Sequence, residues 1–349
     1  MKGFVLAAGF GQRMRPLTES VPKPCLPVGN LPLVTYALKL LARYGIHEVA
    51  INTHHLSKSI EDALGDGSAY GVNLHYSHED EILGTGGGLK EMGDFLDETF
   101  VVLNSDIIIN LELDKVIETH RKSQAISTMV LRSDPKQSEK GLIEIDETGR
   151  IRRILGQGDP ADDLKAYMFT GVHVMEPQFL EYIPAGVKTC VNRYGYTKAL
   201  KNDVPLFGVV TDCYWRDFGT PKSYLEGNFD ALEQSMGLAY ADPLAGFALA
   251  PRKEVAEVVR LGNDVQLGAD VTLLPPVVIG NGSKIGDNAT VGPHCVVGSK
   301  VSVGKQARIR KAVVLEGAKV EAGADITEAV VHKKGHLPGE DLEVAPKSA

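Results

Sequence analysis

No CxxC pair occurs in this sequence, and its four cysteines, Cys25, Cys190, Cys213 and Cys295, lie far apart. That scatter argues against a disulfide frame or a cysteine-built zinc site and points to reduced thiols in a cytoplasm. No basic tract stands out, and the formal charge is -8 at pH 7. Phosphate-backbone binding needs clustered positive charge, so no nucleic-acid partner is expected. No apolar run is long enough to span a bilayer, and the N-terminus lacks a charged-then-apolar signal segment, so no membrane association is expected either. A cluster of His and Cys for a soft metal is missing as well. What is present is 43% hydrophobic residues over 349 positions, enough for two domains with sizeable cores.

The first two thirds alternate strand and helix signals. Gly3 to Ala8 is a short apolar run ending at Gly9, as in a buried parallel strand. Pro32 is placed to open a helix whose face carries Leu33, Ala37, Leu40, Leu41 and Tyr44, with Gly45 as its stop. Strands are expected at Glu48 to Asn52, Val72 to Tyr76 and Phe100 to Leu103, the last running into Asn104-Ser105-Asp106. This order predicts an α/β domain over residues 1–235, a mostly parallel sheet covered by helices on both faces. Ligands of such sheets bind beyond the carboxyl ends of the strands, where Gly9 and Asp106 both fall.

From Leu261 the rhythm becomes a repeat of six: Leu261, Leu267, Leu273, Ile279, Ile285, Val291, Val297, Val303, Ile309 and Leu315. Such hexads predict a parallel β-helix over 257–334, each anchor pointing inward onto its equivalent in the next coil. The phase slips after Leu315, where Val320 and Ile326 come one residue early, so the stack is expected to end there. Residues 236–256, with Pro243, Gly246 and Pro251, read as a linker, and 335–349 as a loose polar tail.

Between strand and linker lies the most informative stretch, L-A-A-G-F-G-Q-R-M-R-P-L-T (Leu6 to Thr18), followed by V-P-K-P-C-L-P-V (Val21 to Val28). Gly9 and Gly11 permit positive φ and close approach of a ligand to the backbone. Exposed N–H groups in such a turn cradle phosphate oxygens. Arg13 and Arg15 add planar forks suited to phosphate, and Lys23 is a point charge on a backbone stiffened by Pro22 and Pro24. The third glycine of a dinucleotide fingerprint is missing, and no P-loop GK[ST] follows.

These motifs resemble the signature of sugar-1-phosphate nucleotidyltransferases, which join a nucleoside triphosphate to a sugar 1-phosphate and release pyrophosphate. The resemblance continues through I-L-G-T-G-G-G-L-K-E (Ile82 to Glu91), N-S-D (Asn104 to Asp106), F-T-G-V-H (Phe169 to His173) and W-R-D-F-G-T-P-K-S-Y (Trp215 to Tyr224). It covers about the first 230 residues, and a left-handed β-helix appendage occurs in many members. The resemblance implies that Leu6, Ala8, Gly9 and Gly11 contact the nucleotide and that Arg13 holds its β- and γ-phosphates. Lys23 would sit over the α-phosphate, and Thr85, Gly86 and Gly87 would line the base and ribose pocket. Asp106 and Asp217 would coordinate Mg²⁺; Thr170, Gly171 and Glu144 would meet the sugar. Oxygen ligands suit Mg²⁺, which takes one or two carboxylates plus substrate phosphates.

One departure concerns the sugar phosphate. Many members carry Glu-Lys-Pro after a G-R-[IV] turn, the lysine gripping that phosphate. Here Gly149-Arg150-Ile151 leads into Arg152-Arg153-Ile154-Leu155-Gly156-Gln157, leaving Arg152, Arg153 or another cation for the task. Taken singly, Asp106 also reads as a turn cap, Asp217 as half of an ion pair, and Gly86 to Gly88 as a helix entrance without a ligand. L-G-T-G-G (Leu83 to Gly87) together with a hexapeptide domain resembles the mannose-1-phosphate guanylyltransferase-like group, and that resemblance implies mannose 1-phosphate with GTP. The alternatives are a uridylyltransferase for an N-acetylated amino sugar phosphate such as N-acetylmuramate 1-phosphate, a heptose 1-phosphate enzyme, and a non-catalytic nucleotide-sugar-binding subunit. An acyl-transfer site on the β-helix would use His294 as base. Self-association through the β-helix into a homo-oligomer is expected.

Overall fold

The computed structural model describes residues 1–133, 142–249 and 258–339. Residues 250–256 of the expected linker and 340–349 of the expected tail lie outside that set. The contacts divide the chain into two compact units, Met1–Phe10 with Val34–Trp215, and Gly11–Leu33 with Arg216–Ala349. The division therefore does not follow chain order at 235: residues 11–33 pack with the C-terminal unit, for reasons given below. No described helix is long and apolar enough to cross a membrane.

The first unit is the α/β layer structure. Its strands are β1 (Lys2–Leu6), β2 (Glu48–Thr53), β3 (Asn73–His78), β4 (Phe100–Asn104), β5 (Ser127–Arg132), β6 (Ile143–Ile145), β7 (Ile151–Ile154), β8 (Lys165–Met175) and β9 (Leu206–Val210). Helices α1 (Val34–Arg43), α2 (Ser57–Leu64), α3 (Gly84–Glu91), α4 (Leu113–Lys122) and α5 (Thr197–Lys201) connect them. Pro32 does not open α1: it lies in a two-residue strand, Leu31–Pro32, and the helix starts at Val34. β1 lies between β4 and β2, parallel to both, and β3 continues the parallel run beyond β2. β8 turns the direction, pairing antiparallel with β4, β5 and β6. Both faces are covered. Phe4, Ala50 and Val102 share a buried cluster with Leu89 of α3. Gly3 faces the other way, where an added Cβ would lie 2.8 Å from Leu41 of α1.

Chain order reverses at β1. The run β1, β2, β3 moves outward on one side, and β4 returns to the other side of β1. Crevices form at such switch points, at the carboxyl ends of the strands.

The second unit holds the coils. Val259, Val277, Cys295, Ala312 and Ala329 stack in parallel register, as do Gln266, Lys284, Ser302 and Lys319, and Thr272, Thr290, Arg308 and Asp325. The expected anchors fill the interior from Leu273 to Ile309, whereas Leu267, on the first coil, is 41% exposed. The stack does not end at Leu315. Val314, not Leu315, sits on Val297 and is fully buried, and Val320, Ile326 and Val331 carry the core onward. The slip comes from corners. Residues in the left-handed region recur every six positions at Asn288, His294, Lys300 and Gln306, then after five at Lys311, and after five again from Gly323 to Glu328. Each five-residue edge shortens its coil by one residue while the strands stay in register. Gly335–Pro338, placed in the tail by the sequence, is a strand antiparallel to Asp325–His332.

Helix α6 (Pro221–Leu232) closes this unit. Thr220 caps it, its hydroxyl accepting from the Ser223 N–H at 3.2 Å while the Ser223 Oγ accepts from the Thr220 N–H at 3.0 Å, and Pro221 fills the first turn. α6 packs on the coil strands Cys295–Val297, Arg308–Val314 and Asp325–His332. Val296, Val313 and Val330 alternate with the inward residues of those strands, so they point outward, yet all are buried. The other side of α6 holds residues 27–30. Asn228 Oδ1 accepts from the Gly29 N–H at 3.0 Å, the Tyr224 hydroxyl donates to the Pro27 carbonyl, and Asn30 N–H donates to the Pro243 carbonyl at 2.7 Å.

Candidate active site

In the first unit, the C-terminal ends of β1 and β4 bring two predicted elements together. Leu6 pairs with Asn104, and the Ser105 N–H donates to the Leu6 carbonyl at 3.1 Å. Asp106, half-buried, therefore follows directly on the strand beside Ala7, Ala8 and Gly9. Gly9 is exposed, does not take positive φ, and a Cβ there would meet nothing within 4 Å. Its missing side chain thus leaves open space next to the backbone, which suits close approach of a ligand.

A polar chain that the sequence did not signal fixes this turn. The Ala7 N–H donates to Asn52 Oδ1 at 2.8 Å, and Asn52 Nδ2 donates to Glu79 Oε1 at 2.7 Å. Glu79 Oε2 accepts from the Leu83 N–H at 2.7 Å. Asn52 and Glu79 are buried, so each lost bond leaves a desolvated group. Phe10 packs edge-on to His54, whose Nδ1 meets the Glu79 carbonyl at 2.7 Å; His54 is a brace for this loop.

The T-G-G-G run serves packing more than the sequence suggested. The Gly86 N–H already donates to the Thr189 carbonyl at 2.9 Å, and Thr85 Oγ1 accepts from the Val191 N–H at 2.9 Å. A Cβ at Gly86 would lie 2.8 Å from Thr189 Oγ1, and one at Gly87 3.1 Å from the Val187 carbonyl. At Gly88 it would lie 2.7 Å from both Asn52 Nδ2 and Glu79 Oε1. These glycines admit the 187–191 segment and the Asn52–Glu79 pair.

The predicted sugar residues fall on β8 and β6. Thr170 is buried and its hydroxyl donates to the Val130 carbonyl at 2.8 Å, so the side chain is engaged within the sheet. Gly171 has φ +93 at a bulge in β8, and a Cβ there would lie 2.8 Å from Asn104 Nδ2. Glu144 receives Arg153 Nη1 at 3.0 Å on both carboxylate oxygens. Arg152 donates to Asp146 Oδ2 at 2.6 Å, so both arginines offered in place of the missing lysine are paired with carboxylates.

In the second unit, Gly11 takes φ +60 and its carbonyl accepts from Thr18 Oγ1 at 2.9 Å and from the Met14 N–H at 2.9 Å. That turn presents Arg13, which is largely exposed and lies 4.0 Å from Asp217 Oδ2. Lys23 opens a short turn, Lys23–Cys25, and its side chain is buried, which is uncommon for lysine and matches a cation held in place. Burial pushes the Cys25 thiol up to about 12, so it is not a poised nucleophile. His294, proposed as a base on the coils, is engaged by Glu233 Oε1 at 2.7 Å and packs against Phe229.

Among the described residues no group of three or more His, Cys, Asp or Glu forms a ready-made metal cage. Asp106 in the first unit and Asp217 in the second each offer oxygen donors, the type that a hard dication such as Mg²⁺ takes alongside substrate phosphates.

Comparison with known proteins gives the family of the chain. Residues 2–234 match the Nucleotidyl transferase family, and residues 273–340 match the GMPPB C-terminal domain. A mannose-1-phosphate guanylyltransferase of Mycobacterium tuberculosis is 34% identical over 246 residues, covering 69% of this chain and 67% of that protein. A UTP–glucose-1-phosphate uridylyltransferase of Synechocystis is 33% identical over 238 residues, 64% of this chain and 61% of its own length. An N-acetylmuramate alpha-1-phosphate uridylyltransferase of Neisseria meningitidis is 36% identical over 190 residues, 53% of this chain and 80% of that protein. A crystal structure of a putative glucose-1-phosphate thymidylyltransferase from Bacillus anthracis shares the fold with a TM-score of 0.59 at 24% identity, covering 70% of this chain and 98% of that one. With its family match running through two thirds of its length, the chain belongs to the Nucleotidyl transferase family.

Proposed function

We propose that the chain joins a nucleoside triphosphate to a sugar 1-phosphate and releases pyrophosphate, with GTP and mannose 1-phosphate as the leading pair. The observation that carries this reading is the shared edge of β1 and β4, where the Leu6–Gly9 turn and Asp106 meet at the switch point of the sheet. The mannose and guanine assignment is supported by the GMPPB C-terminal domain match and the Mycobacterium tuberculosis relative. Uridylyl transfer to another sugar 1-phosphate is the second reading, favoured by the Synechocystis and Neisseria relatives.

In the proposed reaction a phosphate oxygen of the sugar 1-phosphate attacks the α-phosphorus in line. The bond from that phosphorus to the α–β bridging oxygen breaks, and pyrophosphate leaves with the electron pair. Two anions must meet, so positioning and charge neutralisation do most of the catalysis. Arg13 is assigned to the β- and γ-phosphates, Lys23 to the α-phosphate, and the Leu6–Gly11 backbone to the nucleotide. Asp106 and Asp217 would hold Mg²⁺, which when bound offsets phosphate charge. A subunit that only binds nucleotide sugars has no need of Arg13, Lys23, Asp106 and Asp217 together. A cytoplasmic location and a homo-oligomer formed through the coils are proposed with this reading; Leu267 and Leu274, each 41% exposed, offer apolar contact area there.

The test is a pyrophosphate-release screen crossing GTP, UTP, dTTP, CTP and ATP with a panel of sugar 1-phosphates. Release with one dominant pair is expected, and no release with any pair overturns the proposal. In the active pair, Asp106→Asn and Asp217→Asn are each expected to lower the rate by roughly 100-fold or more while the melting temperature holds. Full activity in either removes that residue from the cation site.

A further inference from the structure

We infer that Arg132 grips the phosphate of the sugar 1-phosphate, an assignment that rests on the proposed reaction. β5 is antiparallel to β8, and β8 is antiparallel to β4, so β5 runs in the direction of β4. Arg132, the last residue of β5, therefore ends at the sheet edge that carries Gly9 and Asp106. Its guanidinium carbon lies 5.2 Å from the centre of the Trp215 ring, and its Nη1 donates to the Trp215 carbonyl at 3.3 Å. The same indole donates from Nε1 to the Thr170 carbonyl at 2.7 Å, next to the Gly171 bulge. A cation is thus held over an aromatic ring that is itself bonded to the strand proposed to meet the sugar.

Three further arginines follow the Gly149 turn. Arg150 pairs with Asp203 at 2.6 Å, Arg152 with Asp146 at 2.6 Å and Arg153 with Glu144 at 3.0 Å. Among the described residues no carboxylate pairs with Arg132. A guanidinium held over a ring and by one carbonyl bond keeps further N–H groups for a phosphate contact, and little entropy is lost when it binds. Lys165 is the rival cation, but it lies five residues up β8 from Thr170, roughly 17 Å along an extended strand. Arg132 is opposite Met168, two residues from Thr170. This placement supplies the charge that the missing Glu-Lys-Pro lysine would have brought.

The chain has one tryptophan, so Trp215 reports directly on its own cation. Glucose 1-phosphate, mannose 1-phosphate and N-acetylglucosamine 1-phosphate are titrated against intrinsic fluorescence, with the free sugars as controls, in the presence and absence of a non-hydrolysable nucleoside triphosphate. The expected result is a phosphate-dependent change that Arg132→Met weakens by roughly 10- to 100-fold in midpoint, with Arg132→Lys between the two and Lys165→Gln unchanged. In steady-state kinetics the same factor appears in the KM for the sugar phosphate and not in that for the triphosphate. Equal titration by wild type and Arg132→Met overturns the inference, and so does the absence of any sugar-phosphate response in the wild type. Pyrophosphate release by the wild type reports separately on the reaction itself.

Discussion

Asn52 donates its side-chain amide to the Glu79 carboxylate at 2.7 Å, and the other half of the same amide accepts from the backbone of Ala7. Three strand ends and the entrance to α3 are tied by this one pair. Glu79→Gln keeps the shape but turns an NH₂ toward either Asn52 Nδ2 or the Leu83 N–H, leaving buried donors facing each other. The expected cost is about 1–3 kcal/mol of stability, measured by urea unfolding, together with a raised KM for the triphosphate. An unchanged unfolding midpoint would show that the pair does not hold the turn.

Gly219 lies against the Arg13–Asp217 pair. A Cβ added there would overlap Arg13 Nη2 and lie 2.7 Å from Asp217 Oδ2. The displaced atom is the tip of a flexible side chain, so Gly219→Ala is expected to fold normally. Moving a phosphate-binding group by about 1 Å can cost up to roughly 100-fold, so kcat/KM for the triphosphate should fall while the melting temperature stays within a few degrees. Wild-type kinetics in this variant would remove Arg13 from the phosphate site.

Removing residues from 258 onward strips the valine stripe at Val296, Val313 and Val330 from beneath α6. Buried Leu225, which lies against Gly339, then loses cover, and the Pro27–Gly29 contacts that steady the segment after Lys23 rest on a loosened helix. The truncated chain is expected to aggregate or to retain under a tenth of the activity, seen by size-exclusion chromatography and pyrophosphate release. A monodisperse, fully active fragment would show that the coils are dispensable to the loop.

The pH dependence of stability should carry a histidine signature. His173 is buried against Tyr196, and burial pushes its pKa down to about 3; burial lowers His120 too, against the pull of Glu176. Unfolding restores a pKa of about 6.5, so the unfolded state binds more protons below that value. For His173 this contribution is flat above pH 6.5 and falls between 6.5 and about 3, by up to about 1.4 kcal/mol per pH unit, and His120 adds in the same direction. Melting temperatures from pH 8 to 4.5 test this, and His173→Gln should flatten part of the slope.

The sheet edge was legible because its signals are local: an apolar run into glycine at Leu6–Gly9, another into Asn104-Ser105-Asp106. The hexads were legible for the same reason, until one five-residue edge moved the anchor from Leu315 to Val314 and a second brought Val331 five residues after Ile326. What stayed hidden depends on partners far along the chain. Nothing near Glu144 announces Arg153 as its neighbour across a hairpin, and nothing in T-G-G-G reveals that Thr189 and the Asn52–Glu79 pair need the missing side chains. Arg132 looks like any strand-terminal arginine until Trp215, 83 residues later, is folded beneath it.

The corners at Lys311 and Glu328 show how this solenoid tolerates change in length. A residue can be lost at a vertex, and the walls on either side still meet their neighbours rung for rung. Single insertions and deletions among related tails are therefore expected to collect at the vertices, because the same event within a wall would turn every interior side chain out to water.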